Sequence, residues 1–571
     1  MSGAKRDWHV VFSLLVVAGI FAWSIVSIAT RRIEQSPPGA IILHIGHWQL
    51  EPAVREAFDE LARDYQREVN PNVRIVQAAI PDPMYGQWAA TQMMGGTAPD
   101  LIELWKGLTR PMWVALINRH CIPLGGEIGR PNPYNRGTDL EGVPLKLTYR
   151  DSMRSGYVEE LQQYYNIPLS SFNSRVFYNK TLLQKLTGLQ TPPAEWRAFL
   201  EVCRKIAQAR DEQGRAYTPI AASGSAHFTL IWEKYLFDVP TYGAFRQADF
   251  NRDGYLPNDE IFAGFKSGRL SLESPYYRAK LEMVRELGPF FQTGYTGLSR
   301  DEAVFLFAQQ RAVFIATGTW DARSLQEQAA GKYELGVMDF PRPTRDDPEF
   351  GGVVEGPLYD YPAVSINFAI SKTCRHPEVA IDFLMYLASR RGNEKFNRIV
   401  GWIPGIRGAQ MDPFLKAFEP HLVGVQGFSD FNVGGETFIG WSQLYSLYQV
   451  GQIDLPTLTR RFNEFYLSQG AKDFAELKRG WRRGLHDTEQ MLAGLRGQAM
   501  SAGGESNWVK YRAIIDQRQL RWELDRARQL QLMDAPEKYA RRGPYEYSAR
   551  AVERVRQSLQ ADSTGGDGGA P

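Results

Sequence analysis

Between Ile41 and Trp105 the chain alternates between apolar runs of strand length and amphipathic runs of helix length, and this alternation constrains the fold most strongly. IILHIGHW reads as a strand. Val54, Phe58, Leu61, Ala62 and Tyr65 then recur at helical spacing, and Asn70-Pro71-Asn72 stops that helix before a second strand, VRIVQAAI. A further helix carries Tyr85, Trp88 and Met93, ends at Gly95-Gly96, and leads through Pro99-Asp100 into a third strand, LIELW. Such alternation predicts an α/β fold whose mainly parallel sheet is covered by helices. Ligands of such sheets bind beyond the carboxyl ends of the strands, where Trp48 and Trp105 fall.

A chain of 571 residues exceeds what one hydrophobic core organises, so at least two packed lobes are expected. Its 66 basic and 64 acidic residues nearly cancel, which removes any global electrostatic reason to bind nucleic acid. Cys121, Cys203 and Cys374 are far apart and odd in number, so they form neither a metal-ligand pattern nor a disulfide framework. They are read as small buried residues, with one bridge left open.

The N-terminus departs from this soluble average. Lys5-Arg6 precedes an uncharged run from Trp8 to Thr30, and Arg31-Arg32 follows it. A bilayer core takes about 20 apolar residues in helix, so residues 8–30 are expected to form a membrane anchor. A cleaved signal would show a shorter apolar region and an A-x-A-like site. Residues 31–39 form a Pro/Gly-containing linker. From Glu476 the chain becomes charge-rich and helical in pattern. The reading is a helical C-terminal extension over 476–559, with a solvated face rather than a nucleic-acid surface, and a disordered tail over 560–571.

Eight segments, in order, resemble family 1 extracellular solute-binding proteins of ABC importers, the maltose-binding-protein-like group. They are HWQLEPAVREAFDELARDYQREVNPNVRI, TQMMGGTAPDLIELW, YYNIPLSSFNSRVFYNKTLLQKL, TPPAEWRAFLEVCRKIA, RAVFIATGTWDARS, YELGVMDFPRP, INFAISKTCRHPEVAIDFLMYLAS and GWIPGIRGA. The resemblance spans roughly residues 40 to 410. It implies a two-lobed periplasmic-binding-protein-like fold with a hinge, lobe 1 from 40–150 and 361–395 and lobe 2 from 151–360 and 396–475. It also implies a body outside the cytoplasmic membrane that captures a carbohydrate ligand by hinge closure for an ABC-importer permease, without catalysis.

Aromatic rings stack on the C–H faces of a pyranose while a few polar groups orient its hydroxyls. Trp48, Trp105, Phe172, Trp320 and Trp402 occupy loop positions suited to this. By resemblance Trp320 matches the stacking Trp of a Gly-x-Trp loop, Trp105 the aromatic after the third strand, and Asn173 a residue beside the crossing strand. Glu51 and Asp321 are candidate hydroxyl-binding carboxylates, with a solvent-exposed or helix-capping role the alternative for each. Trp88 and Trp196 lie within amphipathic helices and are expected in the core.

A carbohydrate-active enzyme is the main rival reading, because sugar clefts with carboxylates also belong to glycoside hydrolases. Nucleophile-elbow, phosphate-loop and zinc-protease motifs are all missing from the sequence. His44 and His47 point to opposite faces of one strand, which disqualifies them as a ligand pair. An importer-independent sensor on the same fold is a third reading.

One local motif stands outside the resemblance. DFNRDGYLPNDE, residues 249–260, fits an EF-hand loop: Asp249, Asn251 and Asp253 side chains, the Tyr255 carbonyl and a bidentate Glu260 would hold Ca2+, with Gly254 at the sharp turn. Apolar residues flank it within 245–265, and a structural calcium site is the expectation.

Overall fold

The computed structural model describes residues 39–501, apart from 109, 159–160, 162, 250–255, 257, 358, 361–362, 422, 426, 428–430 and 432. The predicted anchor at residues 8–30 and the tail therefore lie outside the described residues. Among the described residues no helix is long and apolar enough to cross a membrane.

In chain order the main strands are β1 (Ile41–His47), β2 (Val73–Ala79), β3 (Leu101–Glu103), β4 (Asn166–Phe172), β5 (Ser174–Asn179), β6 (Thr218–Ala221), β7 (Ala312–Gly318), β8 (Leu335–Met338), β9 (Ala363–Ile370) and β10 (Ile403–Pro404). The longer helices are α1 (Pro52–Glu68), α2 (Asp82–Gly95), α3 (Arg110–His120), α4 (Lys180–Thr187), α5 (Trp196–Gln208), α6 (Tyr242–Ala248), α7 (Asn258–Lys266), α8 (Pro275–Leu287), α9 (Arg300–Ala308), α10 (Thr319–Ala329), α11 (Pro377–Leu387), α12 (Arg390–Val400), α13 (Gly435–Gln449) and α14 (Leu455–Ser501). A π-helical stretch, Gly224–Phe237, precedes α6.

The chain divides into two compact units. One takes the residues up to Ser171 together with Ala363–Asp412, and the other takes Phe172–Pro362 and the residues from Pro413 onward. The expected lobe boundaries at 150, 360 and 395 thus move to 171, 362 and 412. The first moves furthest because the segment 130–169 belongs with the first unit: Tyr149 donates its hydroxyl to Pro168 O at 2.8 Å, and Leu145 N bonds Arg130 O at 2.8 Å.

In the first unit the sheet runs β10-β4-β9-β3-β1-β2. β1 is parallel to both β2 and β3, as the strand–helix–strand pattern requires, while β9 is antiparallel to β3 and β10 to β4. The expected mainly parallel sheet is therefore mixed. β9 starts where the chain returns from the other unit rather than from a helical crossover, so no βαβ connection fixes its direction. Pro52 starts α1 at a position where its missing N–H costs nothing. The α1 residues Val54, Phe58, Leu61 and Tyr65 are buried against the sheet, as their spacing predicts. Tyr65 donates to Asp382 of α11 at 2.7 Å, tying two covering helices together.

In the second unit the sheet runs β8-β5-β7-β6, with β7 wholly buried. Asn179 caps α4 through Leu182 N, Glu195 caps α5, and Ser299 with Glu302 forms a capping box on α9. The expected boundary at 475/476 falls inside α14, whose buried Leu458, Phe462 and Tyr466 belong to this unit's core. Phe265 of α7 meets Phe462 and Tyr466 with ring centres 5.3 and 5.0 Å apart. Lys280, fully buried on α8, is neutralised by Glu233 and Asp238, each at 2.7 Å. All three cysteines are free and buried, which closes the question of a bridge.

Candidate functional site

The carboxyl ends of β1 and β3 lie side by side, because the two strands are parallel neighbours paired at Ile45↔Leu101 and Gly46↔Ile102. Trp48 follows β1 and Trp105 follows β3, so the topology delivers both indoles to one end of the sheet, each partly exposed. Trp105 adopts φ 75°, a left-handed conformation costly for a non-glycine residue and typical of segments held in place for function. Two residues on, Gly107 packs on Gly86 of α2. A Cβ on Gly86 would lie 2.5 Å from the Gly107 carbonyl carbon, so only two glycines allow this approach.

Four residues that the sequence reading did not single out as site members complete this face. Lys106 Nζ lies 4.5 Å from the Trp48 ring centre and 2.8 Å from Asp82, a cation held over an indole. Glu103, 1 % exposed, accepts from the Gln49 side chain at 2.8 Å and from the Trp48 amide at 3.3 Å. Tyr85 donates its hydroxyl to the Glu103 carbonyl at 2.6 Å. Burial pushes the Glu103 carboxyl up to about 8, and the negative charge of Glu51 adds to it, while the bonds from Gln49 and Trp48 and the charge of Lys106 oppose it. The available signal was a carboxylate standing inside the apolar strand LIELW.

Glu51 is exposed at the N-cap position of α1 without capping it through its side chain, so its carboxylate is open to solvent beside Trp48. Trp402 departs from expectation. It precedes β10 at the far edge of the sheet, with β4 and β9 between that strand and β3, and it is only 6 % exposed. Its distance from Trp48 follows from the pairing of β10 with β4, which β9 separates from β3 and β1.

The second unit carries its own aromatic pair. Phe172 and Trp320 meet edge to face with ring centres 5.5 Å apart. Trp320 stands in the first turn of α10 rather than on a loop, and its ring folds back over Gly318, where a Cβ would come within 2.2 Å. The Gly of the Gly-x-Trp sequence is thus a steric requirement of the ring's position. Asp321 is 4 % exposed, accepts from Thr317 Oγ1 and pairs with Arg300, so it anchors α10 instead of offering a free carboxylate. Asn173 is likewise engaged: its Nδ2 donates to Asp360 at 2.9 Å and to Phe418 O at 3.2 Å. Both are satisfied within the fold, as a buried polar group must be, and for Asp321 this differs from the open carboxylate that hydroxyl binding would use.

The site of the EF-hand-like motif is framed but not spanned by the described residues. Asp249 follows the last residue of α6 and Glu260 lies in the first turn of α7, both buried, while Asn251, Asp253 and Tyr255 lie outside the described residues.

Residues 50–394 match the family model described as bacterial extracellular solute-binding protein. The chain belongs to this family. A multiple sugar-binding protein of Streptococcus mutans is 21% identical over 408 residues, covering 71% of this chain and 84% of that protein. An uncharacterized ABC transporter extracellular-binding protein of Pyrococcus horikoshii is 21% identical over 389 residues, covering 65% and 73% respectively. Among solved structures, the solute-binding protein RafE in complex with raffinose superposes with a TM-score of 0.51 at 17% identity, covering 75% of this chain and 99% of that one. That likeness establishes the two-lobed α/β fold of this solute-binding protein. The matched segment contains Trp48's neighbours Glu51, Glu103 and Trp105 together with Phe172 and Trp320, and stops before α13 and α14.

Proposed function

We propose that this solute-binding protein captures a mono- or oligosaccharide outside the cytoplasmic membrane and delivers it, by hinge closure, to an ABC permease. The observation that carries the reading is the pair Trp48 and Trp105 at the carboxyl ends of parallel neighbours, with a lysine over one ring. Flat indoles accept the C–H faces of a pyranose, and Glu51 supplies an open carboxylate for hydroxyls. The Phe172–Trp320 pair is a second aromatic surface of the same chemistry. The similarity to a multiple sugar-binding protein and to a raffinose-bound relative supports a carbohydrate as the ligand class. The ligand is released unchanged. Residues 8–30 tether the body to the membrane, which keeps its effective concentration near the permease high.

The test is native mass spectrometry of the intact protein for co-purified ligand, followed by calorimetric titration with mono- to tetrasaccharides, raffinose included. A bound sugar recovered intact supports the reading; its hydrolysis would move the protein to the enzymes, and no binding across the panel would remove the ligand class.

A calcium ion in the 249–260 loop is the second reading. It is favoured by the helix–loop–helix frame, in which α6 ends before the first ligand position and α7 begins before the last.

A further inference from the structure

The loop that carries Trp48 is held from beneath by a buried acid and a buried amide. Glu103 Oε1 accepts from Gln49 Nε2 at 2.8 Å and Oε2 from the Trp48 amide at 3.3 Å. Gln49 is fully buried, and its own Oε1 is buried with no hydrogen-bond partner. Turning the Gln49 amide over exchanges its donor and acceptor ends. The carbonyl then faces Glu103 and requires a proton from it. The pair thus has two self-consistent arrangements, carboxylate with amide N–H and carboxylic acid with amide carbonyl.

We propose that Glu103 is a positioning residue of the ligand face: with Gln49 it forms a proton-dependent clamp that seats Trp48 beside Trp105, so that carbohydrate affinity follows the protonation of Glu103. The inference rests on the carbohydrate reading above for its functional consequence, and on the geometry alone for the clamp.

The groups that surround Glu103 set its direction. From the loop after β1, Glu51 opposes ionisation; from the loop after β3, Lys106 favours it. On α2, Tyr85 spends its hydroxyl on the Glu103 carbonyl. On β1, His47 Nε2 is bonded to Gln77 at 3.0 Å, and burial holds the imidazole below its usual range, so it stays uncharged over the pH range that concerns Glu103. Across β9, Phe368 stands opposite Glu103 and Asn367 O takes the Leu104 amide, so among the described residues its β9 neighbours are uncharged. Burial dominates and holds the acid up to about 8. Below that the neutral acid remains in its apolar setting. Above it the carboxylate draws in water or the Lys106 ammonium, because an ionised group without a counter-charge is costly inside a protein. Lys106 is the cation over the Trp48 ring, so its displacement disturbs the stacking surface itself. Affinity therefore falls as pH rises through about 8.

Two measurements test this on the intact protein. The first needs no ligand: with 5-fluorotryptophan incorporated and the Trp48 resonance assigned through Trp48→Phe, fluorine NMR follows that resonance from about pH 6 to pH 10. A titration with a midpoint near 8 that vanishes in Glu103→Gln is expected. A flat wild-type profile, or the same profile in the variant, overturns the clamp even if no sugar ever binds. Gln49→Met, which removes a bond that lowers the pKa, should move the midpoint upward, and serves if Glu103→Gln does not fold. The second is the affinity for raffinose, or for whichever panel sugar binds, across the same range. The wild type should weaken by up to about tenfold per pH unit above the midpoint, and Glu103→Gln should be flat. A parallel loss in both overturns the link to affinity, whereas failure of every sugar to bind removes the carbohydrate reading and leaves the fluorine titration to decide the clamp.

Discussion

Asp360 Oδ2 accepts from Arg175 Nη2 at 2.6 Å, and both residues are buried, at 0 % and 1 % exposed. The same oxygen takes Asn173 Nδ2 and the His421 amide, each at 2.9 Å. These partners stand just beyond three points where the chain passes between units: Asn173 and Arg175 after 171, Asp360 before 362, His421 after 412. One carboxylate thus gathers the second unit's ends of all three connecting segments.

Removing one member of that set should be costlier than removing both. Asp360→Asn leaves the buried Arg175 guanidinium with the half-exposed Asp339, 2.9 Å from its Nε, as its remaining carboxylate partner among the described residues, and is expected to destabilise the protein by about 1.5–3 kcal/mol. Pairing Asp360→Leu with Arg175→Met should recover much of the loss, because a buried ion pair is often replaceable by apolar groups. Urea unfolding of the two variants checks this; equal losses in the single and the double would mean the network contributes by its hydrogen bonds alone.

The tryptophans should separate by role. Trp48→Ala and Trp320→Ala remove partly exposed rings and should weaken sugar binding by tenfold or more with a small change in melting temperature. Trp196→Ala empties a fully buried site whose indole also donates to Glu286 at 2.7 Å, and should cost about 3–5 kcal/mol with intact affinity in the folded fraction. Calorimetry and thermal unfolding on the same samples read both quantities.

How far the residues announced this arrangement depends on the kind of signal they carry. The periodicity of Val54 to Tyr65 and the stops at Asn70-Pro71 and Gly95-Gly96 are local, so β1 to β3 and the placement of Trp48 and Trp105 follow from them. His44 and His47 separate as the strand pleat demands, one exposed beside Asp100 and one buried on Gln77. The engagement of Asn173 with Asp360, of Asp321 with Arg300 and the place of Trp402 beside β10 rest on contacts made across long sequence separations, which no local pattern encodes. Lys106 and Glu103 sit beside the recognised Trp105, yet their roles appear only once β1 and β3 are paired. The direction of β9 was hidden for the same reason.

Stability should carry the mark of Glu103. Its folded pKa of about 8 exceeds the unfolded value of 4.5, so between those values the folded state holds a proton that the unfolded chain has released. By linkage the contribution to stability is largest at low pH, declines as pH rises through that window, and levels off above it. Glu103→Gln lacks this titration, so its stability relative to the wild type should improve from about pH 5 to pH 9 in urea unfolding. A constant difference between the two proteins would assign the pH dependence elsewhere.

The last expectation concerns calcium in the 249–260 loop. A hard cation needs six to eight oxygens at about 2.3–2.6 Å; on the proposed reading Asp249, Asn251, Asp253, the Tyr255 carbonyl and a bidentate Glu260 would supply most of them, with water completing the shell because Pro257 has no side-chain oxygen. A cation bound only by the native state adds about 2.7 kcal/mol at a hundredfold excess over its Kd, enough to raise the melting temperature by several degrees. The effect should reach beyond the loop, since α7 carries Glu260 and packs through Phe262 and Phe265 onto Tyr466 of α14. Calcium should therefore slow amide exchange around residues 458–466 as well, and Asp249→Ala with Glu260→Gln should abolish both responses. If metal-stripped, folded wild type shows neither calorimetric binding nor a shift in melting temperature, the loop is only a turn, and the solute-binding assignment stands without it.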